Sequence, residues 1–169
     1  NFRLTRPACI VDINSVPDLS TIEVGKNGLH IGALTRHSDL ENSSAVKRFF
    51  PIFEETIKHI AHLPIRNRGT LGGSLCHADP AAELPLLCVL FNATISVAID
   101  SRGNIRKISA ADFFVGPLTT QLSHHEMVTS IFLPFVSPST GWAFEEFAPR
   151  HGDFALASVG ILLETENNK

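Results

Sequence analysis

Arg66-Asn67-Arg68-Gly69-Thr70-Leu71-Gly72-Gly73-Ser74-Leu75-Cys76-His77-Ala78-Asp79-Pro80-Ala81-Ala82-Glu83-Leu84-Pro85 is unlike any other stretch of the 169-residue chain. Lacking Cβ atoms, Gly72 and Gly73 can turn successive N–H groups toward one point, and the Thr70 and Ser74 hydroxyls can add donors around it. The segment therefore reads as an anion cradle, with Arg66 and Arg68 placed to neutralise a diphosphate. Asp79 is expected to cap, and Pro80 to begin, a helix directly after the loop. Pro85 then forces that helix to kink or to start later. On composition alone, a Gly-Gly-Ser loop is more often a tight structural turn than a binding site.

Other chemistries fit this stretch poorly. It has no Gly-Lys-Ser/Thr phosphate loop and no GxGxxG dinucleotide fingerprint. Gly72-Gly73-Ser74-Leu75-Cys76 nearly spells a nucleophile elbow, but Cys76 stands where a second glycine belongs. His59 and His62 could share a helix face, yet no further ligand completes a metal set around them. His124 and His125 carry no nameable chemistry. No catalytic acid, base or nucleophile and no metal ligand is assigned.

Upstream, residues 8–13 form a β-branched run that predicts a buried strand. Ile22 and Val24, then Leu29 and Ile31, alternate with polar residues about Asn27-Gly28, which predicts a hairpin whose turn uses the positive backbone angles of that pair. Thr35 or Ser38 is expected to cap a short helix, and a second should follow Pro51. Phe49, Phe53, Ile57 and Ile60 form its apolar stripe, with Glu54 paired to Lys58 on the wet side.

Downstream the pattern changes to period two. Residues 94–99 and 105–108 predict a second hairpin about Ser101-Arg102-Gly103-Asn104, and further strands are expected at 127–135, 142–148 and 155–164. Strands and helices followed by consecutive strands indicate an α+β architecture with a boundary near the loop 137–141.

Composition narrows the function classes. Hydrophobic residues at 44% and charged residues at 18% mark a globular protein. Fourteen Lys and Arg against seventeen Asp and Glu give a net charge of -3, which supplies no basic footprint for nucleic acid. No apolar run is long enough for a transmembrane helix, and no signal peptide is visible. Cys9, Cys76 and Cys88 are odd in number and lack CxxC spacing, which points to buried free thiols in a reducing cytoplasm. The sequons at Asn42 and Asn92 are discounted accordingly. With no initial Met and an apolar stretch running almost to Lys169, the chain reads as a fragment of a longer polypeptide.

Ile65 to Ser74 and Ala78 to Pro85 closely resemble the strings carried by the flavin-binding medium subunit of the molybdenum hydroxylases, the carbon monoxide dehydrogenase and xanthine dehydrogenase group. Further family-like stretches are Arg3-Leu4 with Val11-Asp12-Ile13, Ile31-Gly32-Ala33-Leu34-Thr35, Ala111-Asp112-Phe113-Phe114, and Phe147-Ala148-Pro149-Arg150 with Gly152-Asp153-Phe154-Ala155. The resemblance implies an α+β FAD-binding domain of the vanillyl-alcohol oxidase and molybdenum flavoprotein type, with mixed sheet, antiparallel sheet and flanking helices. It implies domain bounds of 1–136 for an FAD-binding unit lacking its N-terminal segment and 137–169 for the start of a truncated C-terminal α+β unit.

The same resemblance implies that Thr70, Leu71, Gly72, Gly73 and Ser74 form the second of two loops holding the FAD pyrophosphate. It places Glu83 at a cofactor hydrogen bond, Val128 among apolar residues lining the flavin site, and Phe154 near an aromatic over the ring. Glu146 stands where many relatives have Lys. Implied partners are an iron-sulfur small subunit and a molybdopterin large subunit, with this FAD passing electrons from the clusters to an external acceptor. Two other readings stay open: an independent FAD-dependent oxidase of the same fold, and a non-catalytic remnant.

Overall fold

Alternation of apolar and polar side chains builds the central sheet of this computed structural model, which describes residues 7–165. Strand β1 (Ile22–Val24) pairs antiparallel with β2 (Gly28–Gly32), Ile22 opposite Ile31 and Val24 opposite Leu29. The predicted hairpin is therefore present, but its turn works differently. Neither Asn27 nor Gly28 has a positive φ. Gly28 is instead the first residue of β2, where a Cβ would lie 2.1 Å from the Leu133 carbonyl oxygen. Glycine is required there by close approach of the next strand.

Five short helices follow. They are α1 (His37–Asn42), α2 (Ser44–Phe49), α3 (Pro51–Ile57), α4 (Leu63–Arg66) and α5 (Leu71–His77). The cap of α1 is Arg36, not Thr35 or Ser38; Thr35 is buried, its hydroxyl 3.3 Å from the Thr21 carbonyl. Pro51 opens α3 as expected, since its missing N–H falls where no helical partner exists. Glu54 pairs with Lys47 at 3.3 Å, and Lys58 takes Glu55 at 3.2 Å, because the break at Phe50 turns α2 alongside α3.

Helix α6 (Glu83–Leu90) leads into β3 (Thr94–Ala98) and β4 (Ile105–Ser109). Their turn closes on Asp100, which accepts from the Asn104 side chain at 2.7 Å, with Gly103 at φ 82°. Helix α7 (Ala110–Phe113), β5 (Phe114–Gly116) and β6 (Thr119–Thr120) lie outside any sequence expectation. Strand β7 (Met127–Pro134) then enters between β2 and β3, giving the order β1-β2-β7-β3-β4. Every ladder among the described residues is antiparallel, and the α+β class holds.

A register shift at Ser96/Val97 explains how Val128 and Ile131, an odd number of residues apart, both face the core. The inner face of the sheet, Leu29, Ile31, Ile95, Val97 and Ile131, packs beneath the helices on Phe50, Phe53 and Leu87. Phe91 meets Phe50 edge to face with ring centroids 5.2 Å apart, a favourable aromatic geometry.

The last hairpin, β8 (Thr140–Phe147) with β9 (Ala157–Glu164), forms its own sheet close to the predicted ranges. It buries Phe144 in the common core and lays Gly160 against Leu86 and Leu90 of α6. Residues 8–13 do not form the expected strand: Ile10 is 83% exposed, and no ladder partner lies among the described residues. A β-branched run without a neighbouring strand gains neither hydrogen bonds nor burial. Arg3 and Leu4 lie outside the described residues. No helix among the described residues is long and apolar enough to cross a membrane.

Candidate functional site

The glycine-rich stretch is the first turn of a helix rather than an open loop. Thr70 caps α5, its hydroxyl accepting the Gly73 N–H at 3.1 Å. The Leu71 N–H donates to the Thr35 carbonyl at 3.0 Å and the Gly72 N–H to the Ala33 carbonyl at 2.8 Å. These amides are committed inside the protein, so the successive-amide cradle expected at Gly72 and Gly73 is not what the fold builds. Gly72 is small because a Cβ would stand 2.7 Å from that of Ala33. An isolated bridge between Arg36 and Thr70 ties the start of α1 to the cap of α5.

With its buried side held in this way, α5 turns Thr70, Gly73, Ser74 and His77 outward at helical spacing. They line a cleft of about 510 Å³ that His37, Arg68, Gly69, Asp79, Glu83 and Phe154 also border. Its polarity runs along the helix. His37 and Arg68 stand beside the N-terminal end of α5, and Asp79 and Glu83 lie beyond its C-terminal end. The volume lies within the usual range for small-molecule and cofactor sites, about 300–1,000 Å³.

Helix α6 begins at Glu83, so the later of the two starts allowed by Pro85 is the observed one. Asp79 forms a turn instead of a cap, accepting the Ala81 N–H at 2.9 Å. Burial pushes the Glu83 carboxyl up to about 7, with Glu146 and Asp79 raising it further and a backbone hydrogen bond opposing them. The Glu146 carboxyl-bearing side chain is only 2% exposed; one oxygen faces His59 Nδ1 at 3.6 Å and the other has no hydrogen-bond partner. The His59 ring also meets Phe144 edge to face at 5.4 Å, so it serves packing rather than a metal. Among the described residues no group of His, Cys, Asp and Glu is arranged to hold a metal ion.

Phe154 reaches the cleft from the loop between β8 and β9 and is 72% exposed. Gly152 makes this possible: its φ of 86° and its approach to Ala61 and His62 admit no side chain without strain. Arg150 and Asp153 pin the loop through a 2.8 Å ion pair.

Of the residues singled out by sequence, Thr70, Gly73, Ser74, Glu83 and Phe154 meet at one cleft, and Arg68 joins them. Leu71 and Gly72 are buried beneath α5, and Val128 is buried in the sheet; none of the three lines the cleft. Arg66 turns away from it, pairing with Glu41 at 3.0 Å and donating to the Ile60 and Ala61 carbonyls. Of the three cysteines only Cys88 is buried, its thiol pushed up to about 12 by burial; Cys9 and Cys76 are exposed. His37 escaped the sequence reading, because a histidine at the start of a short helix has no local signature of a cleft; Gly69 and Gly152 lay within the family-like stretches but were given no role there.

The sequence profile described as "FAD binding domain in molybdopterin dehydrogenase" matches residues 1–136. This chain belongs to that family. It is 37% identical over its whole length to the caffeine dehydrogenase subunit beta of Pseudomonas sp. (strain CBB1), covering 57% of that protein. It is 40% identical to the nicotine 6-hydroxylase medium subunit of Paenarthrobacter nicotinovorans over 99% of this chain and 58% of the relative. The structure of quinoline 2-oxidoreductase from Pseudomonas putida 86 superposes with a TM-score of 0.91 at 38% identity, over 98% of this chain and 56% of the other. The chain thus spans a little over half the length of the relatives it matches.

Proposed function

We propose that this chain is the FAD-binding portion of the medium subunit of a molybdenum-containing hydroxylase, working in the cytoplasm beside an iron-sulfur small subunit and a molybdopterin large subunit. One observation carries the reading: Thr70, Gly73, Ser74 and Glu83 of the family-like stretch line a single cofactor-sized cleft, with Phe154 at its edge. The residues present fit the group. Hydroxyls and a guanidinium suit its charged diphosphate, and apolar walls at Ile60, Ala61 and Ile65 suit its rings.

FAD, when bound, supplies the redox chemistry, taking electrons that originate on the partner subunits and passing them to an external acceptor. The chain's own residues bind and orient. Thr70, Ser74 and Arg68 hold the charged end. Leu71 and Gly72 act indirectly, locking α5 onto the segment before α1. Glu83, protonated up to about pH 7, presents an O–H donor at the other end of the cleft. Phe154 closes over the site and excludes water. Val128 supports the sheet from within the core.

The FAD-binding unit is assigned to 1–136 and the start of a second α+β unit to 137–169, a division supported by the separate β8–β9 sheet. The test is purification of the full-length protein with its native partners, followed by assay of flavin, iron and molybdenum. A complex carrying all three is expected. A flavoprotein that oxidises substrate alone, without molybdenum or iron, would instead establish the independent oxidase.

A further inference from the structure

A second cavity lies on the face of the central sheet that turns away from the helices. Thr94 and Ser96 flank the core residue Ile95, Phe132 follows Ile131, and Lys107 precedes Ile108, so strand alternation points all four outward. With His30 of β2 and Lys26 and Asn27 of the β1–β2 turn, they line a pocket of about 430 Å³ that shares no residue with the cleft at α5. Register sets its floor. His30, Phe132 and Thr94 stand side by side across β2, β7 and β3, and Ser96 stands opposite Lys107. The His30 and Phe132 ring centroids are 4.8 Å apart. Two glycines fix these rings: a Cβ at Gly28 would lie 2.7 Å from Phe132 Cε2, and one at Gly25 would lie 3.3 Å from His30 Cδ2.

The charges around this floor are of one sign. Among the described residues Lys47 and Lys58 answer Glu54 and Glu55, whereas Lys26 and Lys107 pair with no carboxylate. Both of these unpaired lysines line the pocket, one reaching it from the β1–β2 turn and the other from the edge strand β4. No acidic side chain lines it; Glu23 lies opposite His30 on the other edge strand, β1. The Thr94 and Ser96 hydroxyls and the Asn27 amide add uncharged donors.

The geometry points to a nucleoside phosphate as the ligand of this outer pocket, its base stacked on the His30 and Phe132 rings and its charge answered by Lys26 and Lys107. A lysine ammonium is a compact point charge that suits phosphate, and an aromatic floor stacks any base. The volume falls within the usual range for small-molecule sites, about 300–1,000 Å³. This site is additional to the flavin cleft, from which the sheet and its buried core separate it.

The experiment titrates the full-length protein, saturated with FAD so that the α5 cleft is filled, with ADP and with inorganic pyrophosphate by calorimetry. ADP is expected to bind at one site and to weaken as salt rises. Combining Lys26→Gln with Lys107→Gln should weaken both probes about tenfold, while unchanged flavin absorbance shows that the fold and the α5 cleft are intact. His30→Ala removes part of the floor and should weaken ADP more than pyrophosphate. Absence of ADP binding by the FAD-saturated parent overturns the inference, as does equal ADP affinity in the parent and the double lysine variant. An equal loss of ADP and pyrophosphate in His30→Ala overturns the nucleoside assignment. A parent that takes up no FAD overturns the flavin reading alone, because the lysine variants still report on the outer pocket.

Discussion

Gly72 and Ala33 are locked together: the Gly72 N–H donates to the Ala33 carbonyl at 2.8 Å, and a Cβ on Gly72 would stand 2.7 Å from the Ala33 Cβ. Both residues are buried, so neither can yield without moving β2 or α5. Gly72→Ala is therefore expected to destabilise the protein by about 1–3 kcal/mol through overpacking, despite the higher helix propensity of alanine. Urea unfolding of parent and variant measures it. An unchanged midpoint would show that the helix shifts freely.

Gly73→Ala should behave differently. Its Cβ would meet only the Thr70 hydroxyl, at 2.8 Å, on the exposed side of α5. The hydroxyl must move, which costs the cap about 1 kcal/mol, partly offset by helix propensity. The larger expected effect is on flavin, since the new methyl projects beside the cleft. Flavin occupancy after gel filtration should fall in Gly73→Ala while its unfolding midpoint stays near that of the parent.

Glu83 predicts a pH dependence of stability. Its ordinary value is 4.5 and its value in the fold about 7, so the unfolded chain releases this proton before the folded one does. Between these two values the folded state binds more protons, and stability falls as pH rises. Above about 7 the contribution levels off, at a loss on the order of 3 kcal/mol. Glu83→Gln cannot titrate and should flatten this slope. Urea unfolding from about pH 4.5 to 8 compares the two proteins; parallel curves would show that Glu83 ionises normally.

Arg66 is expected to matter for stability rather than for the cofactor. It answers Glu41 and two backbone carbonyls, with side chains only 12% and 19% exposed across the ion pair. Arg66→Met should cost about 2–4 kcal/mol, because it strands a half-buried carboxylate and two acceptors. Glu54→Ala, which breaks the more exposed pair with Lys47, should cost under about 1 kcal/mol. Comparable losses in the two variants would contradict this division.

Phe154→Ala separates binding from folding. The ring is 72% exposed and contributes little to the core, so the unfolding free energy should change by less than about 0.5 kcal/mol. FAD affinity should drop, since the ring's apolar face is then no longer available to cover bound cofactor. Equal FAD affinity in parent and Phe154→Ala would remove that residue from the site.

Much of the sheet was readable without coordinates, because strand alternation and turn chemistry are written within a few neighbouring residues. The β3–β4 hairpin closes on Gly103 and Asn104 where expected, and β7, β8 and β9 fall within two residues of their predicted bounds. The stretch from Thr70 to Glu83 was likewise singled out by its glycines and hydroxyls. What those glycines do was decided elsewhere. The destination of an N–H depends on which carbonyl the fold brings to it, and for Leu71 and Gly72 those are Thr35 and Ala33, more than thirty residues away. Arg66 met Glu41 before it could meet a phosphate. Residues 8–13 had the composition of a strand but no partner among the described residues. The walls of the cleft come from α1, α5, the start of α6 and the loop at Gly152, segments with no local pattern in common. Sequence alone determined the family and the residue types available for binding. Only the tertiary structure determined which of them share a surface, because that depends on long-range packing between elements whose own patterns encode only their local shape.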